Sequence, residues 1–159
     1  MKVYIAGPMC FRTDYKDLYN EIRVACESAD LTALIPTDNV LESSVHIFQN
    51  NIQMINDCDF VIANLSNYIG KESDSGTCVE IGYAFAKGKT IFGYYEEEYP
   101  REYKDAVGCD MIPNNCVVED FGLSHNLMVY HCCNFIVCGD FSITLQMAVT
   151  FIKRKNNHQ

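Results

Sequence analysis

Asp74 and Glu80 stand six residues apart where a polar loop runs into a helix. Two carboxylates so placed can divide a task on a sugar. One accepts a hydrogen bond from a hydroxyl, while the other attacks or stabilises an electron-poor anomeric carbon. The helix between them is well marked: Asp74 or Ser75 can cap its first turn, and Gly88 can take the left-handed position past its end. Its residues are mostly small or apolar, and Glu80, among Cys78, Val79, Ile81 and Tyr83, is the exception. Carboxylates are rarely buried unless paired. Glu80 is therefore either solvated, on a face shared with Thr77 and Lys87, or chemically active. Asp74 is either a simple cap or a ligand for a hydroxyl as well. Glu80 must be ionised to attack, and Tyr4 is either an ordinary strand aromatic or the donor that supports that charge.

The elements that must position these groups alternate along the chain. Lys2 to Ala6 reads as a buried strand ended by Gly7-Pro8, followed by a helix from about Asp14 to Ser28 on Leu18, Ile22 and Ala25. Leu31 to Ile35 is a second strand ended by Pro36-Thr37-Asp38-Asn39, and a second helix runs from about Ser44 to Asn56. Asp59 to Leu65 is the clearest strand, the loop Ser66 to Ser73 leads into the Glu80 helix, and Thr90 to Tyr95 is the fourth strand. A short helix from His125 to Cys132, a fifth strand at Asn134 to Cys138 and a closing helix from Phe141 to Lys153 complete the pattern, before a polar tail. Residues 96–123 break the rhythm and read as an inserted loop or lid. The expected fold is α/β: a five-stranded parallel sheet with helices on both faces, flavodoxin-like, in the order 2-1-3-4-5. In that order ligands bind outside the carboxyl ends of the strands at the switch point between strands one and three. That rule brings the Gly7 to Phe11 loop and the Ser66 to Asp74 segment, and with it Glu80, to the ligand edge.

The totals narrow the function classes. A chain of 159 residues, 48% hydrophobic, is expected to form one domain over 1–159 with a full core. A net charge of -9 argues against nucleic acid or an anionic membrane as partner. No apolar run is long enough to span a bilayer, and the chain opens on a strand pattern rather than a signal peptide. Nine scattered cysteines without a CxxC pair suit free thiols in a reducing cytoplasm better than a disulfide framework or a zinc site. His46, His125, His131 and His158 show no metal-ligand spacing. Glycine-rich phosphate cradles and the G-x-S-x-G elbow are missing.

At these residues the chain resembles the nucleoside 2-deoxyribosyltransferase family. Tyr4-Ile5-Ala6-Gly7-Pro8 is similar to its opening strand and loop, and Asn56 to Ala63 to its third strand with the approach. The stretch Asp74 to Ala84 matches the core D-x-G-x-x-x-E-x-G-Y-A, and Asn126-Leu127-Met128 is similar to a downstream Asn-Leu-Met. The resemblance implies that Glu80 is the nucleophile on C1′ of 2-deoxyribose, that Tyr4 orients it and that Asp74 binds the sugar hydroxyl. Asn126, with Met128 beside it, would reach the 5′ end of the sugar from a neighbouring subunit, which implies a homodimer or higher homo-oligomer with composite sites. Substrates would be 2′-deoxynucleosides and free nucleobases, exchanged by two displacements with net retention and without a metal or organic cofactor.

One position departs from the pattern. Some members carry, in the second helix, an aspartate that contacts and protonates the leaving base, and Asn51 stands there. An amide can hydrogen-bond a base but is a poor proton donor. Phe11 and Met9 in the first loop are candidates to stack on or pack against the base, or are ordinary loop packing. Two other functions fit the same sequence: a 2′-deoxynucleoside 5′-monophosphate N-glycosidase, and a non-enzymatic nucleotide-sensing module on the same fold. The insertion is expected either to close over the site or to build the subunit contact.

Overall fold

Val3 to Ala6 and Phe60 to Leu65 are buried without interruption, a pattern that a strand shows only when both faces of its sheet are covered. The structure, a computed structural model, describes residues 1–39, 43–97, 100–107, 113 and 115–156. Its elements are β1 (Lys2–Ala6), α1 (Tyr15–Ser28), β2 (Thr32–Leu34), α2 (Ser44–Asp57), β3 (Phe60–Asn64) and α3 (Ser75–Ala86), then β4 (Thr90–Tyr95), α4 (Tyr103–Val107), α5 (Leu127–Cys132), β5 (Phe135–Cys138) and α6 (Phe141–Asn156). The four strand pairings are all parallel and the order is β2-β1-β3-β4-β5, the flavodoxin-like arrangement expected from the alternation.

Side chains alternate along each strand, so the sheet has two cores. Val3, Ile5, Phe60, Ile62 and Phe92 face α1 and α6. Tyr4, Ala6, Val61 and Ala63 face the other way, against Ile55 of α2 and Ile81 and Ala84 of α3, with Val129 and Cys132 of α5 at the margin. Tyr4 therefore rises under the helix that carries Glu80. Thr77 is buried at 1% exposure, so the exposed Thr77-Glu80-Lys87 face allowed by the spacing does not form. Gly88 takes the left-handed conformation past α3, with φ +69°. Lys89 then donates to the carbonyls of Asn56 (2.8 Å) and Cys58 (2.6 Å), closing the carboxyl end of α2.

Two pieces were not evident from periodicity. Pro8 to Phe11 form a 3-10 turn, entered through Gly7 at φ +145°, where an added Cβ would lie 2.6 Å from Met9 Sδ and 2.8 Å from Asn64 Cβ. The insertion contains α4, although 98–99, 108–112 and 114 lie outside the described residues. Its described part is fastened to the loop before α3. Arg101, with its side chain 9% exposed, donates to Asn67 (2.8 Å), pairs with Glu97, and lies 5.1 Å over the Tyr95 ring. Its other amino group lies 3.1 Å from His125 Nε2, whose pKa is pushed down to about 4 by burial and then by Arg101. Tyr103 Oη donates to Glu72 at 2.5 Å.

Candidate active site

The carboxyl ends of β1, β2 and β3 open into a cavity of about 520 Å³ whose lining includes both Asp74 and Glu80. Two further grooves, of about 410 and 520 Å³, flank α6 but hold no carboxylate. The loops after β1 and β3 reach the edge that the switch-point rule indicates, and the loop after β2 joins them with Thr37 and Asn39.

Glu80 is held by one oxygen. Tyr4 Oη donates to Glu80 Oε1 at 2.7 Å, and Asn51 Nδ2 donates to the same atom at 3.3 Å. Among the described residues Oε2 has no hydrogen-bond partner, so one lone-pair face of the carboxylate stays open. Burial pushes the pKa of Glu80 up to about 7; the Tyr4 hydrogen bond opposes that rise, the charge of Asp74 adds to it, and the Asn51 bond opposes it. Burial, and then Glu80 itself, raises the Tyr4 phenol well above its ordinary range, so it remains a donor.

Asp74 caps α3 as the sequence allows: its Oδ2 accepts from Thr77 N–H at 2.8 Å and from Thr77 Oγ1 at 2.9 Å. The other oxygen, Oδ1, has no partner among the described residues. Gly76 keeps this corner open, since an added Cβ would stand 3.1 Å from Asp74 Oδ2. No lysine, arginine or histidine is among the described residues that line the cavity.

The opposite wall consists of Cys10, Phe11, Tyr15, Thr37, Asn39 and Ile47. Phe11 is 60% exposed and stacks on Tyr68, ring centroids 4.9 Å apart. Asn39 donates to Asn50 Oδ1 at 2.8 Å. Cys10, Tyr15, Thr37 and Asn39 were not singled out by their types or spacing. The switch-point rule, applied also to the turn Pro36 to Asn39, would have found the last two.

Of the remaining candidates, Met9 is 2% exposed, belongs to the core under α1, and does not line the cavity. Asn126 caps α5, accepting from Met128 N–H at 3.0 Å and donating to Glu119 at 3.1 Å. Asn126 and Met128 lie outside the cavity of their own chain, and Met128 is 68% exposed. Among the described residues no cluster of three or more His, Cys, Asp or Glu could hold a metal ion, and no helix is long and apolar enough to cross a membrane.

Fold and cavity together define a doubly wound α/β protein with a carboxylate-bearing cleft at its switch point. The family model described as nucleoside 2-deoxyribosyltransferase matches residues 3–128. A 2-desoxiribosyltransferase from Leishmania mexicana superposes with a TM-score of 0.83 at 36% identity, over 94% of this chain and 97% of that one. The chain belongs to the nucleoside 2-deoxyribosyltransferase family. More distant structures share the fold alone: a 2-deoxyribosyltransferase from Bacillus psychrosaccharolyticus (16% identity, TM-score 0.57, 91% and 96% of the two chains) and the CMP N-glycosidase of Clostridium botulinum (17%, 0.57, 96% and 99%). An uncharacterised protein of Schizosaccharomyces pombe is 29% identical over 102 residues, 58% of this chain and 48% of that protein, so the chain spans about half the length of that relative.

Proposed function

We propose that the protein transfers 2-deoxyribose between nucleobases through a covalent ester on Glu80. The observation that carries this reading is the one-sided hold on the carboxylate: Tyr4 and Asn51 occupy Oε1, and Oε2 is left free on a carboxylate that lines the cavity. Oε2 attacks C1′, the C1′–N bond breaks, and its electron pair leaves with the base, which takes up a proton. A ring nitrogen of a second base then attacks C1′, the C1′–Oε2 bond breaks, the incoming base loses its proton, and the carboxylate is restored. Two inversions give net retention. Asp74 Oδ1 accepts a sugar hydroxyl while Oδ2 holds the helix cap. Among the described residues the lining contains two carboxylates and no cation, which favours an uncharged deoxynucleoside over a 5′-monophosphate.

A second copy would complete the site by bringing Asn126 and Met128 to the 5′ end of the sugar. The reading is supported by exposed apolar side chains on the helices that flank the cavity: Phe48 of α2 (59%), Val79 and Phe85 of α3 (61% and 57%) and Met128. Eight unpaired thiols among the described residues suit a reducing compartment such as the cytoplasm.

Mass spectrometry after incubation with a 2-fluoro-2-deoxynucleoside, whose ester breaks down slowly, should find one sugar adduct on Glu80. An unmodified chain, or an adduct elsewhere, overturns the mechanism. Free base released at the same rate with and without an acceptor base, and no new nucleoside, would identify a hydrolase instead. A chain inert towards every deoxynucleoside would favour a sensing module.

A further inference from the structure

Asn51 occupies the helix position from which a base-protonating group is expected, yet its amide is turned towards the other end of the reaction. Its Nδ2 lies 3.3 Å from Glu80 Oε1, the oxygen that Tyr4 also holds. An ionised carboxylate offers only acceptors, so only the NH2 end of the amide can face it. That orientation leaves Asn51 Oδ1 buried without a partner among the described residues. A buried amide oxygen left unpaired is unfavourable, and the contact of the NH2 end with the ionised Glu80 offsets part of that cost.

We propose that Asn51 is a positioning residue for the nucleophile: with Tyr4 it fixes Glu80 Oε1 and so commits Oε2 to the attack on C1′. The inference rests on Glu80 being the nucleophile, as read above. Two donors on one oxygen leave the carboxylate plane little freedom to rotate, and they remain in place when the ester forms. Oε1 is then the carbonyl oxygen of that ester, and the negative charge returns to the carboxylate as the second base attacks. Asn51 thus acts on both half-reactions and acts alike whichever base leaves or arrives. The proton taken up by the departing base is not supplied at residue 51.

The groups that bear on Glu80 come from several elements: Tyr4 from β1, Cys10 from the 3-10 turn, Tyr19 from α1, Asn51 from α2 and Asp74 from the cap of α3. Burial raises the Cys10 thiol and the Tyr4 and Tyr19 phenols above their ordinary values, so at neutral pH they are uncharged. Asp74 is the one carboxylate beside Glu80 in this set, and it disfavours the ionised nucleophile. The Asn51 and Tyr4 bonds are what oppose that effect. Loss of the Asn51 donor must therefore raise the pH at which Glu80 ionises.

The test compares the full chain with Asn51→Ala and with Asn51→Asp, which keeps the side-chain size and replaces the donor with a carboxylate. Glu80 is titrated directly by carbon NMR of labelled glutamate without substrate, and adduct formation is timed with one purine and one pyrimidine 2-fluoro-2-deoxynucleoside. In Asn51→Ala the Glu80 midpoint should move up by about half a unit to one unit, and further in Asn51→Asp. Adduct formation at neutral pH should slow by about tenfold for both bases alike, with the acid limb of the rate profile moved to higher pH. A Glu80 midpoint that stays put in both variants overturns the proposal, as does a rate loss confined to one base. If wild-type protein forms no adduct on Glu80, the reading of the nucleophile fails, while the titration still reports on the Asn51 contact.

Discussion

On the α3 side of the cavity the polar groups are tied to the fold: Asp74 to the first turn of α3, and Glu80 to Tyr4 in the sheet and to Asn51 on α2. Across the cavity, Phe11, Thr37, Asn39 and Ile47 are exposed, and among the described residues the Asn39 side chain is tied only to Asn50. The first wall is preorganised and the second adaptable. The proposed exchange of bases on one sugar would use both. The bond made and broken would sit on a fixed carboxylate, where preorganisation acts on the transition state, and different bases would be accepted against a surface that can shift. Selectivity among bases should therefore change easily with sequence, and the chemistry should not.

Substitutions on each wall can break that contrast. Glu80→Ala should lower turnover by about a thousandfold or more and abolish the sugar adduct without altering the circular dichroism spectrum. Residual transfer at a tenth of the wild-type rate would refute the fixed-wall account. Tyr4→Phe removes the shorter of the two bonds to Oε1. It should reduce kcat by roughly ten- to a hundredfold and move the acid limb of the pH profile above the wild-type midpoint near 7, since the lost donor favoured the ionised form. Phe11→Ala and Asn39→Ala on the facing wall should each change kcat/KM by about tenfold or less, raising KM and altering the ratio between two bases. An equal loss for every base would show that this wall is also part of the fixed machinery.

The remaining effects are on stability. Asp74→Ala should destabilise the fold by about 1 kcal/mol through loss of the cap, measured by urea unfolding, and Asp74→Asn should recover most of it. The capping carboxylate oxygen would then be separable from the oxygen assigned to the sugar. Smallest is the effect of Glu80→Gln. The folded-state pKa of Glu80, about 7, lies above its ordinary value of 4.5. Whatever stability the group gives is therefore present below about pH 4 and declines as pH rises through 7. The neutral amide should raise Tm at pH 8 by roughly 1–2 °C, allowing for partial solvent screening, and leave it unchanged at pH 4. A variant less stable at pH 8 would mean that the ionised carboxylate is better solvated than its burial suggests.

The sheet could be read from the chain because parallel strands buried on both faces are continuous apolar runs and the connections between them are helices of ordinary length. Asp74 could be read because a cap sits next to the helix it begins. Thr77 was harder to read, because it continues the buried stripe of Ile81 and Ala84 at helical spacing while its hydroxyl, which needs Asp74 as a partner, marks it as polar. Asn51 was placed at the site by resemblance, but its orientation depends on a carboxylate 29 residues further on, on another helix. Tyr15, Thr37 and Asn39 stand where loops meet or leave regular elements, where neither spacing nor periodicity constrains side-chain type.

Arg101 has one further consequence, for the order in which the native state opens. Its guanidinium joins the insertion to Asn67, Glu97, Tyr95 and His125 at once. Releasing the insertion takes Asn67, Tyr95 and His125 away from this largely buried cation at once and leaves it Glu97 alone, a change that typically amounts to about 1–3 kcal/mol. The 66–73 loop and residues 101–107 and 115–125 should therefore come apart together. In native-state hydrogen exchange their slow amides should share one opening free energy and one denaturant slope. Because that loop delivers Asp74 to its cap, the Asp74 end of the cavity would then open and close with the described part of the insertion as one cooperative unit.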